Sequence, residues 1–429
     1  MVIDINVDNL QATTFNSQEV SKIVLNNTTI WEKVEEDVGD ALTYGVKLDK
    51  AILTGTDWGS YTDDAVGLDG AYMDFENDTF VDNGWKDRFP FNQIKPCLMK
   101  NNQVVGYLNP DDYTKFEDGT DADITNLTLE NNGFVMVEIP KIYYHISKDD
   151  SFIYIKISDK AQKGFVCDAH TYKGREVDKL YISAYLCGTN DIDTVGYITP
   201  SGASLATSVY TGYEFTWSKL QNINGERYEH LPFNVVKLLQ CLYAIMFKNT
   251  NSQLSLGVGY SSEQAAHTVG SLNQKGMYYG TSAYGTSVKF LGLEGIYGTK
   301  KQVCVGFYRD KNSQARYIDV HNPDAYYGPS VLANYLTSDG FVMSSKYSRV
   351  ALDLNEDAIN VGFWGAEVGT DKYSGFCDSA SLGSQSTTTC VDYGVGGSTT
   401  ANGIYAMVTV ISNDTSQKKA GRIVYYPEV

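Results

Sequence analysis

The sequence predicts an α+β protein in which strands dominate, and three observations predict it. Residues 134–158 alternate apolar and polar side chains with a period of two, residues 234–248 carry one strong helical stripe, and beyond 250 the chain is rich in Gly, Ser and Tyr with short strand-like runs. The length of 429 residues allows roughly two to four domains. With 42% hydrophobic and 20% charged residues, the composition is that of a folded protein with a sizeable core.

The first element is a hairpin. Lys22 to Leu25 and Thr28 to Trp31 are apolar runs around an Asn26-Asn27 turn, and an acidic linker, Glu35-Glu36-Asp37, follows. Two strands alone do not hold a core in water, so residues 1–36 need a partner, either further copies of themselves or another protein. Residues 37–130 read as a β-rich neck or accessory module of short strands broken by Asp, Asn and Gly turns. In the meander that opens the third region, 131–429, Val135, Val137 and Ile139 alternate with Met136 and Glu138. After a Lys148-Asp149-Asp150 turn, Ile153, Ile155 and Ile157 alternate with Tyr154 and Lys156. Asn234 is placed to cap the 234–248 helix, whose stripe is Val235, Leu238, Leu239, Leu242, Ile245 and Met246, with Lys248 at its negative end. A weaker helix is expected over 214–222. Two stretches that look low in complexity, 270–287 and 381–403, contain aromatics and are expected to be ordered loops.

Charge removes several functions. Against 34 Lys and Arg stand 52 Asp and Glu, a net charge of −18 with no basic cluster, which argues against nucleic acid and against anionic membranes. No apolar run reaches membrane-spanning length, and the opening MVIDINVDNL lacks the basic and apolar stretches of a secretory signal. Seven Cys, an odd number at wide spacings with no C-x-x-C, suggest buried thiols made in a reducing cytosol. Pairing of Cys377 with Cys390 across a loop is the less favoured alternative. Tyr is abundant at 32 residues and has two explanations, an adhesive surface or strands that favour aromatics.

Catalytic signatures are missing. The five His are scattered, with no H-E-x-x-H, and neither a G-x-S-x-G elbow nor a Walker A loop occurs. His170 reads as a packed or surface residue, His321-Asn322-Pro323-Asp324 as a turn, and Asp63-Asp64 as a turn rather than an acid pair. The Asp-rich spots at 109–112 and 118–122 read as solvated turns in preference to cation sites. No enzyme activity, cofactor or metal is expected.

One set of motifs, taken in order, resembles a known family. It runs from Tyr44-Gly45-Val46-Lys47-Leu48-Asp49 through YTDDAVG at 61–67, FPFNQIKPCLMKNNQVVGYLNPDDY at 89–113 and VMVEIPKIYY at 135–144. It continues with DKLYISAYLCG at 178–188, LLQCLYAIMFKNTNSQLSLGVGY at 238–260, GMYYGTS at 276–282 and VKFLGLEGIYG at 288–298. From Tyr44 to the C-terminus the chain thereby resembles bacteriophage tail-tip and tail-fibre proteins with a C-type-lectin-like domain. That fold is related to the formylglycine-generating-enzyme type and to the variable proteins of diversity-generating retroelements. After LEGIYG, relatives tend to carry an Asn-Trp and acidic stretch, whereas this chain has TKKQVCVGFYRDKNSQ, so loop 299–330 is its own. The reactive cysteine pair of the oxidase branch would fall to Cys377 and Cys390 only by elimination. The calcium motifs of animal lectins, Glu-Pro-Asn or Gln-Pro-Asp with Trp-Asn-Asp, are absent.

The resemblance implies a C-type-lectin-like domain with long loops over 131–429 and a homotrimer. It implies a receptor-binding adhesin of the tail tip or fibre, made in the bacterial host cytoplasm and carried on the virion. Residues 1–36 would attach it to other virion proteins. The partner would be a host cell-surface glycan or protein, with avidity offsetting weak single sites. Tyr326, Tyr327, Trp364, Tyr373 and Tyr393 lie among Gly, Ser, Asp and Asn and are the candidate ligand-binding side chains. Trp364 has a second possibility, a core position in the family's sheet. The alternative function is structural: a head fibre, capsid decoration or baseplate protein with no receptor role.

Overall fold

In the computed structural model, the alternating run at 134–158 forms strands, but in two different sheets. The structure describes 41–52, 59–125, 127, 133–186, 225–260, 268–310, 312, 314–325, 335–342, 350–354, 357–363, 365–369, 380–381, 389–394, 403–411 and 420–428, plus the strand residues between 14 and 32. It divides into two units, 1–41 and 42–429. In the first, Lys22–Leu25 pairs antiparallel with Thr28–Glu32, and Thr14–Phe15 pairs with Gln18–Glu19. The linker at 35–37 lies outside the described residues.

In the second unit, Phe134–Pro140 pairs with Lys95–Lys100 on one side and Lys179–Ser183 on the other. Tyr143–Lys148 pairs instead with Phe152–Ser158, which pairs in turn with Thr43–Asp49. The chain changes sheets at Pro140 and Lys141, a corner of the kind that joins packed sheets. Among the described residues the first sheet has seven strands, and the C-terminal strand Ile423–Tyr425 inserts between Lys179–Ser183 and Tyr228–His230. The second sheet has four strands, with Gly59–Asp63 at its edge. Because residues 43–49 and 95–116 belong to the same sheets as residues 134–183, the border expected at 130/131 does not separate two bodies. Among the described residues a third sheet of six strands centres on Gln302–Arg309, which is buried along its whole length.

The helix forms at Phe233–Phe247, and all its residues are buried, Asn234, Lys237 and Gln240 included. It packs on Thr43–Asp49 and Phe152–Ser158 and on Gln302–Arg309. An apolar stripe suits a helix covered on one side; this helix is covered all round, so its polar groups need internal partners. Lys237 Nζ donates to the carbonyls of Ile359 and Asn360 at 2.8 and 3.2 Å, and Gln240 Nε2 to Ile404 O at 3.0 Å. Asn234 is not the cap: Pro232 holds that position, and Asn234 lies inside the first turn. The helix expected at 214–222 lies outside the described residues.

Tyrosine fills much of this core. Tyr113, Tyr144, Tyr185, Tyr243, Tyr297 and Tyr308 are fully buried. Most of their hydroxyls find partners inside, as when Tyr297 donates to the carbonyls of Ser252 and Gly257 at 3.1 and 3.0 Å, whereas the Tyr144 hydroxyl has none among the described residues. At these positions the abundance of Tyr serves packing rather than adhesion. Cys97, Cys167, Cys241 and Cys304 are buried free thiols. Among the described residues no helix is long and apolar enough to cross a membrane.

Candidate functional site

A buried tryptophan organises an open polar site. Gly84 adopts a left-handed φ of 84°, which lets the chain turn sharply into the single helical turn Trp85–Asp87. Trp85 is wholly buried, its indole N–H donating to Asp69 O at 2.9 Å. It meets Tyr44 and Phe91 edge-on at 5.7 and 5.6 Å and Tyr61 at 5.4 Å. Backbone bonds then fix the loop that follows: Arg88 N–H to Trp85 O at 3.0 Å, Asn92 N–H to Arg88 O at 2.9 Å and Gln93 N–H to Pro90 O at 2.9 Å.

Residues 87–93 form one wall of a cleft of about 440 Å³. The strand Thr43–Asp49 supplies Tyr44 and the residue before it Leu42, the sheet-switching corner supplies Pro140 and Lys141, and Asp159 and Asp178 complete the lining. Asp159 Oδ1 accepts the Leu42 N–H at 2.9 Å. Lys141 Nζ pairs with Asp178 at 3.2 Å and Glu176 at 3.3 Å. Burial works against its charge, but these two carboxylates outweigh burial and hold its pKa above the ordinary lysine value. Arg88 differs. Its Nε is buried without a partner, and its guanidinium makes no ion pair or side-chain hydrogen bond among the described residues. Gln93 is exposed in the same wall, with its carboxamide equally uncommitted among the described residues.

A second cleft, of about 590 Å³, lies where the C-terminal strand joins the seven-stranded sheet. Some of its polar groups are occupied. Arg227 donates to the carbonyls of Tyr426 and Pro427 at 3.2 and 2.7 Å, and Tyr228 hydroxyl donates to Asn102 Oδ1 at 2.6 Å. These bonds hold the C-terminal segment in place.

The expected ligand-binding residues fare differently. Tyr326, Tyr327, Trp364 and Tyr373 lie outside the described residues. Tyr393 is a correction: it ends the strand Thr389–Tyr393 and is fully buried in the main core, so its ring offers no face to a ligand. The alternation that puts it inward is hidden in sequence by the small and polar residues around it. The sequence gives no functional signal for Arg88, Gln93, Lys141 and Asp159 beyond the fact that Gln93 and Lys141 fall in the motifs at 89–113 and 135–144.

The other titratable groups sit in local structure. His170 is buried, with Nε2 3.4 Å from Ile139 O. The turn at 321–324 forms as expected, with Ala325 N–H donating to Asn322 O at 3.0 Å. His321 lies 3.7 Å from Asp168, whose carboxylate raises its pKa. Asp64 accepts the Thr43 N–H at 2.8 Å, and Asp112 and Asp118 each accept from the Thr two residues on. Among the described residues no three side chains form a metal-binding group. No protein-family model and no curated protein matches the chain.

Proposed function

We propose that the chain is a bacteriophage virion protein, a tail-tip or tail-fibre adhesin whose 42–429 unit is a C-type-lectin-like domain that binds a host-surface saccharide or protein. The observation that carries this reading is the ordered series of motifs from Tyr44 to Gly298. Two structural features agree with it. The body is β-dominated with an inward-packed tyrosine core, and a tryptophan-anchored loop on that body keeps polar groups open to solvent. Residues 1–41 form a unit of their own built from short two-stranded pairs, which suits attachment to virion neighbours or to further copies in a homotrimer.

The test is binding of fluorescently labelled full-length protein, and of residues 37–429, to cells that the parent phage infects. Saturable binding by both is expected and places the receptor site in the larger unit. If neither binds any such host, the adhesin reading falls, and a structural part in the head fibre, capsid decoration or baseplate takes its place.

A further inference from the structure

We infer that the Arg88 cleft is a binding site for a neutral saccharide, an inference that rests on the adhesin reading and names its site. Four properties lead there. The first is uncommitted hydrogen-bonding capacity, because Arg88 and Gln93 project donors and an acceptor that nothing among the described residues uses.

Next comes the alternation of donors and acceptors. Sugar hydroxyls donate and accept at once, so they suit a wall where a guanidinium and a carboxamide face carboxylates. Asp159 is such a carboxylate: its Oδ1 is taken by Leu42, while Oδ2 makes no hydrogen bond among the described residues. Leu42, Phe89 and Pro140 supply apolar lining for the ring faces. The volume of about 440 Å³ lies in the usual small-ligand range.

Charge selects the class of sugar. Asp87, Asp159 and Asp178 line the cleft against Arg88 and Lys141, and Lys141 is already paired with Asp178 and Glu176. A uronate or sialate would meet that carboxylate excess, whereas a neutral hexose or N-acetylhexosamine would not. Finally, the site is preorganised. Trp85 and the backbone bonds of 88–93 hold the loop before any ligand arrives, which lowers the ordering cost of binding.

The experiment is an array of neutral and acidic hexose and N-acetylhexosamine oligosaccharides, probed with full-length protein, Arg88→Met, Gln93→Ala and the remote control Lys115→Ala. Arg88→Met keeps an apolar stem against the loop, and unchanged melting temperatures confirm that each variant folds. The expected result is binding to neutral oligosaccharides that weakens roughly tenfold or more in Arg88→Met, the loss of a charge-assisted bond, and is unchanged in the control. Undiminished binding by both cleft variants overturns the site. Binding to acidic sugars alone, or to none, overturns the ligand class. Cell binding without neutral-sugar binding would sink this inference and leave the adhesin standing; the reverse pattern would do the opposite.

Discussion

The Arg88 cleft and the Lys289–Glu294 pair use the same kinds of side chain to opposite ends. Lys289 and Glu294 face each other across the two-stranded pairing of 289–290 with 293–294, and both are buried. Glu294 accepts the N–H groups of Gly270, Ser271 and Leu272 at 3.0, 3.3 and 3.0 Å, and Lys289 donates to Leu272 O at 3.0 Å while lying 3.7 Å from the Tyr113 ring centre. Burial pulls the Lys289 pKa down to about 7 and pushes the Glu294 pKa up. Here the carboxylate's capacity is used internally, pinning loop 270–272 to the core. In the cleft, Arg88 and Gln93 are left open. The difference teaches that saturation marks a structural charge, and an unused donor on a rigid loop marks a binding one.

Breaking the saturated region should cost most. Glu294→Ala leaves the three backbone donors of Gly270, Ser271 and Leu272 without their acceptor, and is expected to lower stability by about 3–5 kcal/mol, read from urea unfolding. A loss under about 1 kcal/mol would mean the pair is dispensable and would collapse the comparison. Trp85→Ala should cost about as much, roughly 3–5 kcal/mol from lost packing, because the indole is fully buried. It differs in one respect. As the anchor of the 84–93 loop, Trp85 is the substitution expected to lower both stability and saccharide binding in the array.

His170 supplies a pH-dependent version of the same contrast. Complete burial lowers its pKa from 6.5 to about 4. Between those values the unfolded chain binds a proton that the folded chain refuses, so stability is full above pH 6.5 and falls as the pH drops towards 4. The loss is about 3 kcal/mol, at about 1.4 kcal/mol per unit of pKa difference. Urea unfolding at pH 7 and pH 4.5 should therefore show a smaller acid loss in His170→Gln than in the wild type, other carboxylates being common to both. Equal losses would show that His170 does not resist protonation.

How much of this was legible in the sequence follows from what local pattern can record. Period-two alternation marks the strands, and Val135, Val137, Ile153 and Ile155 are buried as it predicts, but Met136 on the opposite face is buried too, in a second core cluster, so the strand at 134–140 is not half-buried. Alternation does not record which strand pairs with which, so neither the sheet change at Pro140 nor the insertion of Ile423–Tyr425 from the far end of the chain could be read. The helix was located within one residue, but burial on every side comes from the strands around it, which sequence does not position. The cleft was illegible for a related reason. Leu42, Arg88, Lys141, Asp159 and Asp178 are far apart in the chain and meet only through the sheets. Aromatics among Gly and Ser look exposed, yet Tyr393 is inside, because neighbouring composition says little about which side of a strand a residue faces.

The smallest expected effect on stability is the sharpest test. Arg88 forms no ion pair among the described residues, so Arg88→Met, which preserves the apolar stem, should change unfolding stability by no more than about 0.5 kcal/mol. The same substitution is expected to weaken saccharide binding, which makes stability and function separate at one residue. Glu294→Ala should show the converse, lost stability with the cleft residues themselves untouched. A large stability loss in Arg88→Met, measured by the same urea unfolding, would mean that the guanidinium has a structural partner in the folded protein. Arg88 would then belong with Lys289 and Glu294, and the distinction between saturated and open charge would no longer mark the cleft.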